Sequence, residues 1–353
     1  MGDSVIPEFL TLAKNQHASD IFIVAGRPLS YKVDGKIIPY GDRLMPEQTL
    51  QFVKEIYHMA GDRDFDPFYR SGDDDFSFSI PGLSRFRVNA YRQRGSVASV
   101  IRVIAFELPD PSHLNIPQSI MDLASFSKGL VLITGPAGSG KSTTMACLID
   151  QINHTRQGHI ITLEDPLEYL HRHDQCIISQ REICTDTDSY LTSLRAALRQ
   201  NPDVILLGEL RDLETIQTAM TAAETGHLIL SSLHTIGAAN TISRIVDVFP
   251  PNQQHQIAVQ LSMVLQAVVS QQLVPDVEGH NIPVFEIMRL TTAIRNMIRD
   301  DKIHQIEGVI YSSSQQQMCS MDQSLLMLYK QGKITKETAL LHATNEEMLR
   351  RKL

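Results

Sequence analysis

The chain has 353 residues, 42% apolar and 20% charged, with a formal net charge of −8; this describes a folded globular protein of about two domains rather than a disordered or fibrous one. The acidic balance supplies no global field for a nucleic-acid backbone, and no apolar run approaches the roughly 18 residues of a membrane-spanning helix. The opening segment contains Asp3, Glu8 and Asp20 and has no signal-peptide pattern, so a cytoplasmic protein without a nucleic-acid partner is expected.

In chain order, residues 5–17 predict a short amphipathic helix with Val5, Ile6, Phe9, Leu10 and Leu12 on its apolar side. Asp20 to Ala25 alternates as a strand until Gly26-Arg27-Pro28 breaks it. Asp34-Gly35 between Tyr31–Val33 and Lys36–Ile38 signals a hairpin. Pro46 to Met59 predicts a helix with proline in its first turn. Gly61 to Asp75 is acidic and turn-rich, a solvated surface. Three strands are expected next, at 75–80, 85–92 and 97–105. The middle one alternates so that Arg85, Arg87, Asn89 and Tyr91 share one face and Phe86, Val88 and Ala90 the other. The polar face is either half-solvated sheet or a basic surface offered to phosphates.

Leu108 to Pro117 is proline-rich and predicts a linker. Beyond it strands and helices alternate, the pattern of an α/β domain with a mainly parallel sheet. Strands are expected at 129–134, 159–164, 203–208 and 227–233, and helices at 141–152, 189–200, 212–223, 237–247 and 252–269. The last eighty residues predict mostly helix, including 292–299 and 322–331. Cys147, Cys176, Cys184 and Cys319 form no C-x-x-C pair, which excludes that kind of zinc or redox motif. Cys147 is expected in the core and the others as free thiols.

The chemistry begins at Gly135-Pro136-Ala137-Gly138-Ser139-Gly140-Lys141-Ser142-Thr143, which fills G-x-x-x-x-G-K-[ST] between an apolar strand and a helix. The glycines let backbone N–H groups turn toward an anion, and the helix start adds partial positive charge. Lys141 is expected to reach the β- and γ-phosphates and Ser142 to hold Mg²⁺. The strand 203–208 ends in Gly208-Glu209, placing a carboxylate where open α/β sheets bind ligands. Glu209 thus takes the metal-side position usually held by Asp, with Arg211 and Asp212 following. Glu164-Asp165-Pro166-Leu167-Glu168 offers three more acids: Glu168 is expected to position the attacking water, against the alternative of a plain surface loop. His227 and His234 bracket the last predicted strand, as γ-phosphate or subunit sensors or as structural histidines.

The segments GPAGSGKSTT, ITLEDPLEYLH, VILLGELRDLET and ETGHLILSSLHT resemble, in that order, the Walker A, Asp box, Walker B and His box of the secretion ATPase superfamily. RFRVNAYRQRG at 85–95 and AIRNMIRDDK at 293–302 resemble the PilT family of type IV pilus retraction ATPases, the Ala293–Asn296 segment being the more specific. The likeness runs from Ala18 to about Asp322. It implies an N-terminal PAS-like α+β domain at 1–107, a flexible linker at 108–117 and a RecA-like ATPase domain with a helical C-terminal part at 118–353. It further implies a homo-hexamer that binds ATP and Mg²⁺ between the two domains of a subunit. By the same resemblance Arg87 and Arg102 are the γ-phosphate arginines, with Arg85 and Arg92 as weaker candidates, and Ala293, Ile294, Arg295 and Asn296 transmit force. The implied setting is the inner face of the cytoplasmic membrane, against a pilus platform protein and possibly beside a paralogous retraction ATPase. An accessory PilU-like motor and a pilus-assembly or type II secretion ATPase are the rival readings. Relatives of the latter kind are generally longer and carry a tetracysteine module that is missing from this sequence.

Overall fold

In this computed structural model residues 5–33, 35–104, 108, 110–313 and 317–353 are described. Two compact units emerge: Met1–Glu107 with Glu168–Leu170, and Leu108–Leu167 with His171–Leu353. Asp34 of the expected hairpin turn, Pro109 of the expected linker and Ala105 at the end of the expected third strand lie outside the described residues.

The first unit is a six-stranded antiparallel sheet of β1 (Asp20–Ile23), β2 (Pro28–Val33), β3 (Lys36–Arg43), β4 (Asp73–Ile80), β5 (Ser84–Gln93) and β6 (Ser96–Ile104). Their order is β3-β2-β1-β6-β5-β4. One face is covered by the helices Val5–Asn15 and Pro46–Met59, with Ile6, Phe9, Leu10, Val53 and Ile56 meeting Ile21, Phe86 and Val88. The first helix buries Ile6, Phe9, Leu10 and Ala13, an i, i+3, i+4, i+7 stripe. Val5, expected on that side, is 44% exposed. Pro28 opens β2 instead of only ending a turn, which proline tolerates at a first strand position. The stretch expected as solvated surface holds the helix Asp66–Ser71, whose Phe68 is fully buried. Burying one aromatic ring outweighs the acidic composition around it.

The second unit is a seven-stranded sheet of β7 (Gly129–Thr134), β8 (Gly158–Glu164), β9 (Cys176–Glu182), β10 (Val204–Leu207), β11 (Leu228–Leu233), β12 (Leu265–Pro275) and β13 (Asn281–Arg289). Its order is β13-β12-β7-β11-β10-β8-β9, parallel except for β13. Both faces are covered. Leu130, Leu132, Ile161 and Ile205 enter one apolar cluster, while Val131, Ile133, Ile160 and Val204 enter the other. Continuous apolar runs are what a parallel sheet buried on both sides requires.

Three strands lie outside the expectations. The helix expected over 252–269 ends at Val264, and Leu265 starts an eleven-residue strand. The mostly helical C-terminal part also contains β13, which pairs antiparallel with β12. β9 was not expected at all. β12 is selected by pairing with β7 and β9 by pairing with β8, rather than by local pattern, and β13 then adds to β12 as its antiparallel neighbour. All four cysteines are free thiols and Cys147 is buried.

Candidate nucleotide site

The site is built at the carboxyl edge of the parallel strands. β7 runs straight into Gly135, whose φ is +144°; Gly138 and Gly140 follow at +74° and +86°. Only glycine tolerates the first of these conformations. The helix Lys141–Thr155 begins at the end of the loop. Lys141 is buried, and its ammonium donates to the carbonyls of Gly135 at 3.0 Å and Pro136 at 2.8 Å. Pro136, Ala137 and Gly138 are exposed, Gly140, Ser142 and Thr143 half-buried, and Ser139 buried. The Ser139 hydroxyl has no hydrogen-bond partner among the described residues.

β11 lies between β7 and β10, although it follows both in sequence. Its exit therefore projects His234 between the P-loop and the end of β10. His234 Nδ1 stands 3.5 Å from Lys141 Nζ, and its Nε2 stands 3.3 Å from Glu209 Oε2. Glu209 also accepts from Arg211 Nε. The backbone around Glu209 is held from both sides: Gly208 N–H donates to Leu163 O at 2.8 Å, and Leu210 N–H donates to Ser232 O at 3.1 Å. Three motifs separated by up to 93 residues thus meet through one imidazole. Asp212 does not share this duty; its carboxylate caps the helix Leu213–Glu224 by accepting from Thr215 N–H at 2.9 Å.

The other histidine is placed differently. His227 precedes β11 at its amino end, where Nδ1 lies 2.9 Å from Ala222 O. Six strand residues separate it from His234, about 20 Å at strand rise. Within the chain it ties a helix end to a strand start and is not brought to the P-loop of its own chain.

The acid loop leaves β8 with Glu164 half-buried and Asp165 and Glu168 exposed. Glu168 groups with the first unit. Two residues that sequence reasoning missed hold this region. Buried Glu182 accepts from Leu167 N–H at 3.3 Å. Tyr190 is buried so close to Gly208 that a Cβ there would stand 2.6 Å from its hydroxyl. Burial, then the charges of Asp165, Glu209 and Glu164, push the Tyr190 phenol far above its ordinary value. No local motif marks either residue. A third, Glu286 on β13, accepts from Ala238 N–H at 2.7 Å and anchors the helix that follows His234. Burial raises the Glu286 carboxyl, against the lowering effect of the Ala238 and Met321 N–H groups.

Two arginines of the first unit face each other across adjacent strands. Arg87 on β5 and Arg102 on β6 are directly opposed. Asp75 flanks Arg87 with contacts of 2.7 and 3.1 Å, and Asp20 flanks Arg102 at 3.3 Å. The two like charges are tolerated because a carboxylate stands outside each. Arg92 instead lies over the rings of Phe68 and Tyr69, at 5.9 and 5.2 Å, and Arg85 is half-buried. In the helix Thr292–Arg299, Ala293, Arg295 and Asn296 are exposed, whereas Ile294 is fully buried. Ile294 is therefore the helix's anchor to the core and not part of an outward-facing set.

The donor set fits a Mg²⁺-nucleotide. The loop has a built-in ammonium, inward-turning glycines and an unsatisfied buried hydroxyl. Ser142 and Glu209 are hard oxygen donors of the kind magnesium takes. The profile of the Type II/IV secretion system protein family matches residues 4–348. The chain belongs to this family. Among its members, the Type IV pilus retractation ATPase PilT of Pseudomonas aeruginosa is 42% identical over 95% of this chain and 96% of its own. The Type IV pilus ATPase PilU of the same organism is 40% identical over 97% of this chain and 90% of its own. The crystal structure of the pilus retraction motor PilT with bound ADP superposes with a TM-score of 0.89 at 44% identity, covering 99% of this chain and all of that one. The mixed α/β fold and the ATPase class expected from the four motifs are those of the family. Among the described residues no helix is long and apolar enough to cross a membrane.

Proposed function

We propose that the chain is an ATP-hydrolysing motor of type IV pilus retraction. The observation that carries this is the Lys141–His234–Glu209 contact chain, which joins Walker A, His box and Walker B at one sheet edge. The full-length likeness to retraction ATPases supplies the machine. In this proposal the glycine loop 135–140 and Lys141 bind the β- and γ-phosphates, with Ser139 and Thr143 completing the cradle. Glu168 orients the attacking water. His234 relays the state of the phosphate site to Glu209, and Ser142 and Glu209 would hold Mg²⁺, which offsets phosphate charge. Arg87 and Arg102 exchange their aspartates for the γ-phosphate, a role in which an arginine contributes roughly 10³–10⁵ in rate. His227 is left a structural residue.

The proposal extends to a homo-hexamer working in the cytoplasm against the pilus platform protein at the inner membrane, with domains at 1–107 and 118–353 joined through 108–117. The exposed Ala293, Arg295 and Asn296 form its force-transmitting surface. PilU is almost as similar as PilT, so an accessory retraction motor is the second reading.

The deciding experiment compares surface pili in cells carrying Lys141→Ala and the parent at matched expression. Abundant pili that no longer retract are expected. Bald cells would mean an assembly motor and would overturn the proposal, while retraction that persists but weakens would select the accessory reading.

A further inference from the structure

The P-loop rests on a residue that none of the four motifs contains. Gln271 lies on β12, the strand beside β7, and is 3% exposed. Its side-chain Oε1 accepts from the Thr144 hydroxyl at 2.8 Å, in the first turn of the P-loop helix. Its amide nitrogen sits 2.8 Å from where a Cβ at Gly140 would stand. Its backbone carbonyl oxygen sits 2.1 Å from where a Cβ at Gly135 would stand. One residue therefore touches the first glycine of the loop, the last glycine and the helix turn beyond.

We infer that Gln271 is a positioning residue for nucleotide binding: it fixes the span between Gly135 and the helix start, and with it the aim of the loop's N–H groups at the β-phosphate. A phosphate cradle works only if its donors are pre-set, because a loop that must be ordered on binding spends part of the interaction free energy on that ordering. The Gln271 amide can do this from β12 because that strand pairs with β7 in parallel, with Ser270 opposite Thr134, the last residue before the loop. The same contacts add to the positive φ of both motif glycines: behind Gly135 the space is filled by the Gln271 backbone carbonyl, and behind Gly140 by its side-chain amide. The hydroxyl of Thr144 is fully buried and spends its bond on Gln271, so the pair acts as a unit.

The inference rests on the P-loop reading, and the test separates the two. ATP hydrolysis and ADP binding are measured on the full chain carrying Gln271→Ala, Thr144→Val, Thr144→Ser, the Gln271→Ala/Thr144→Val pair, or Lys141→Ala, each beside its thermal unfolding curve. Gln271→Ala and Thr144→Val are each expected to raise the KM for ATP and the Kd for ADP about tenfold while kcat changes less than threefold, the pattern of lost ground-state binding. The double variant is expected to be no worse than Gln271→Ala alone, because Thr144→Val then removes a bond that is already lost. Thr144→Ser, which keeps the hydroxyl, is expected to restore parental affinity. Should Gln271→Ala fail to fold, Thr144→Val and Thr144→Ser decide alone. A KM within twofold of the parent in the folded variants, or a change confined to the melting temperature, makes Gln271 a packing residue and overturns the inference. Undiminished ADP binding by Lys141→Ala would instead remove the P-loop reading itself.

Discussion

Gly135→Ala is the sharpest perturbation the site offers, and Gly138→Ala is its internal control. Both glycines have positive φ, +144° and +74°, so both substitutions strain the backbone. Only one meets an obstacle. At Gly138 a Cβ finds nothing within 4 Å, whereas at Gly135 it would stand 2.1 Å from the Gln271 carbonyl and 2.8 Å from the Ser139 hydroxyl. The first obstacle is backbone of β12, a strand paired on both sides, and cannot rotate away. Gly138→Ala should therefore cost about 1 kcal/mol, the typical strain of a left-handed alanine. Gly135→Ala adds overpacking of about 1–3 kcal/mol to backbone strain of about 1–3 kcal/mol, or roughly 2–6 kcal/mol together. At about 2–4 °C per kcal/mol for a unit of this size, the expected drop in melting temperature is on the order of 10 °C for Gly135→Ala and a few degrees for Gly138→Ala. Thermal unfolding followed by circular dichroism, with ADP binding at a temperature where both variants are folded, checks this. Equal melting temperatures for the two variants would refute the claim that β12 closes the space behind the loop.

Burial pushes the His171 imidazole down from 6.5 to about 4. The unfolded chain takes up a proton near 6.5 while the native state resists until about 4, so stability present above that window is lost as pH falls through it. The loss is at most about 3 kcal/mol, and His171→Phe should flatten that part of the pH–stability curve measured by denaturant titration. Arg87→Ala breaks a half-exposed pair and should cost under about 1 kcal/mol of stability, yet lower kcat at least tenfold; a kcat within twofold would strike Arg87 from the phosphate site. In the helix Thr292–Arg299, Ile294→Ala should destabilise by about 2–5 kcal/mol because the side chain is fully buried. Arg295→Ala should leave the melting temperature and most of the ATPase intact while stopping retraction, and equal loss of ATPase and retraction would end its assignment to force transmission.

The chemistry of this protein is legible in the sequence wherever it is carried by contiguous residues. The glycine loop, Lys141, the carboxylate after a short apolar strand and the three acids around Pro166 each announce themselves because the spacing that makes the chemistry is a spacing along the chain. The alternation of Arg85 to Tyr91 also predicted the faces of β5 correctly, because a strand's period of two is a local property.

What the tertiary structure alone decided is which distant residues complete the site. His227 and His234 look equivalent in the sequence, each at an end of one apolar run. The parallel order β7-β11-β10 sends His234 to the phosphate edge and leaves His227 at the other. Leu265 to Val269 continues a helical pattern without glycine or proline to interrupt it, and becomes a strand only because β7 offers an unpaired edge. Gln271, the residue against which both loop glycines are packed, lies on that strand. Local patterns determine what a segment can do; the pairing of strands far apart in the chain, made favourable by burying both faces of the sheet, determines what it is placed beside.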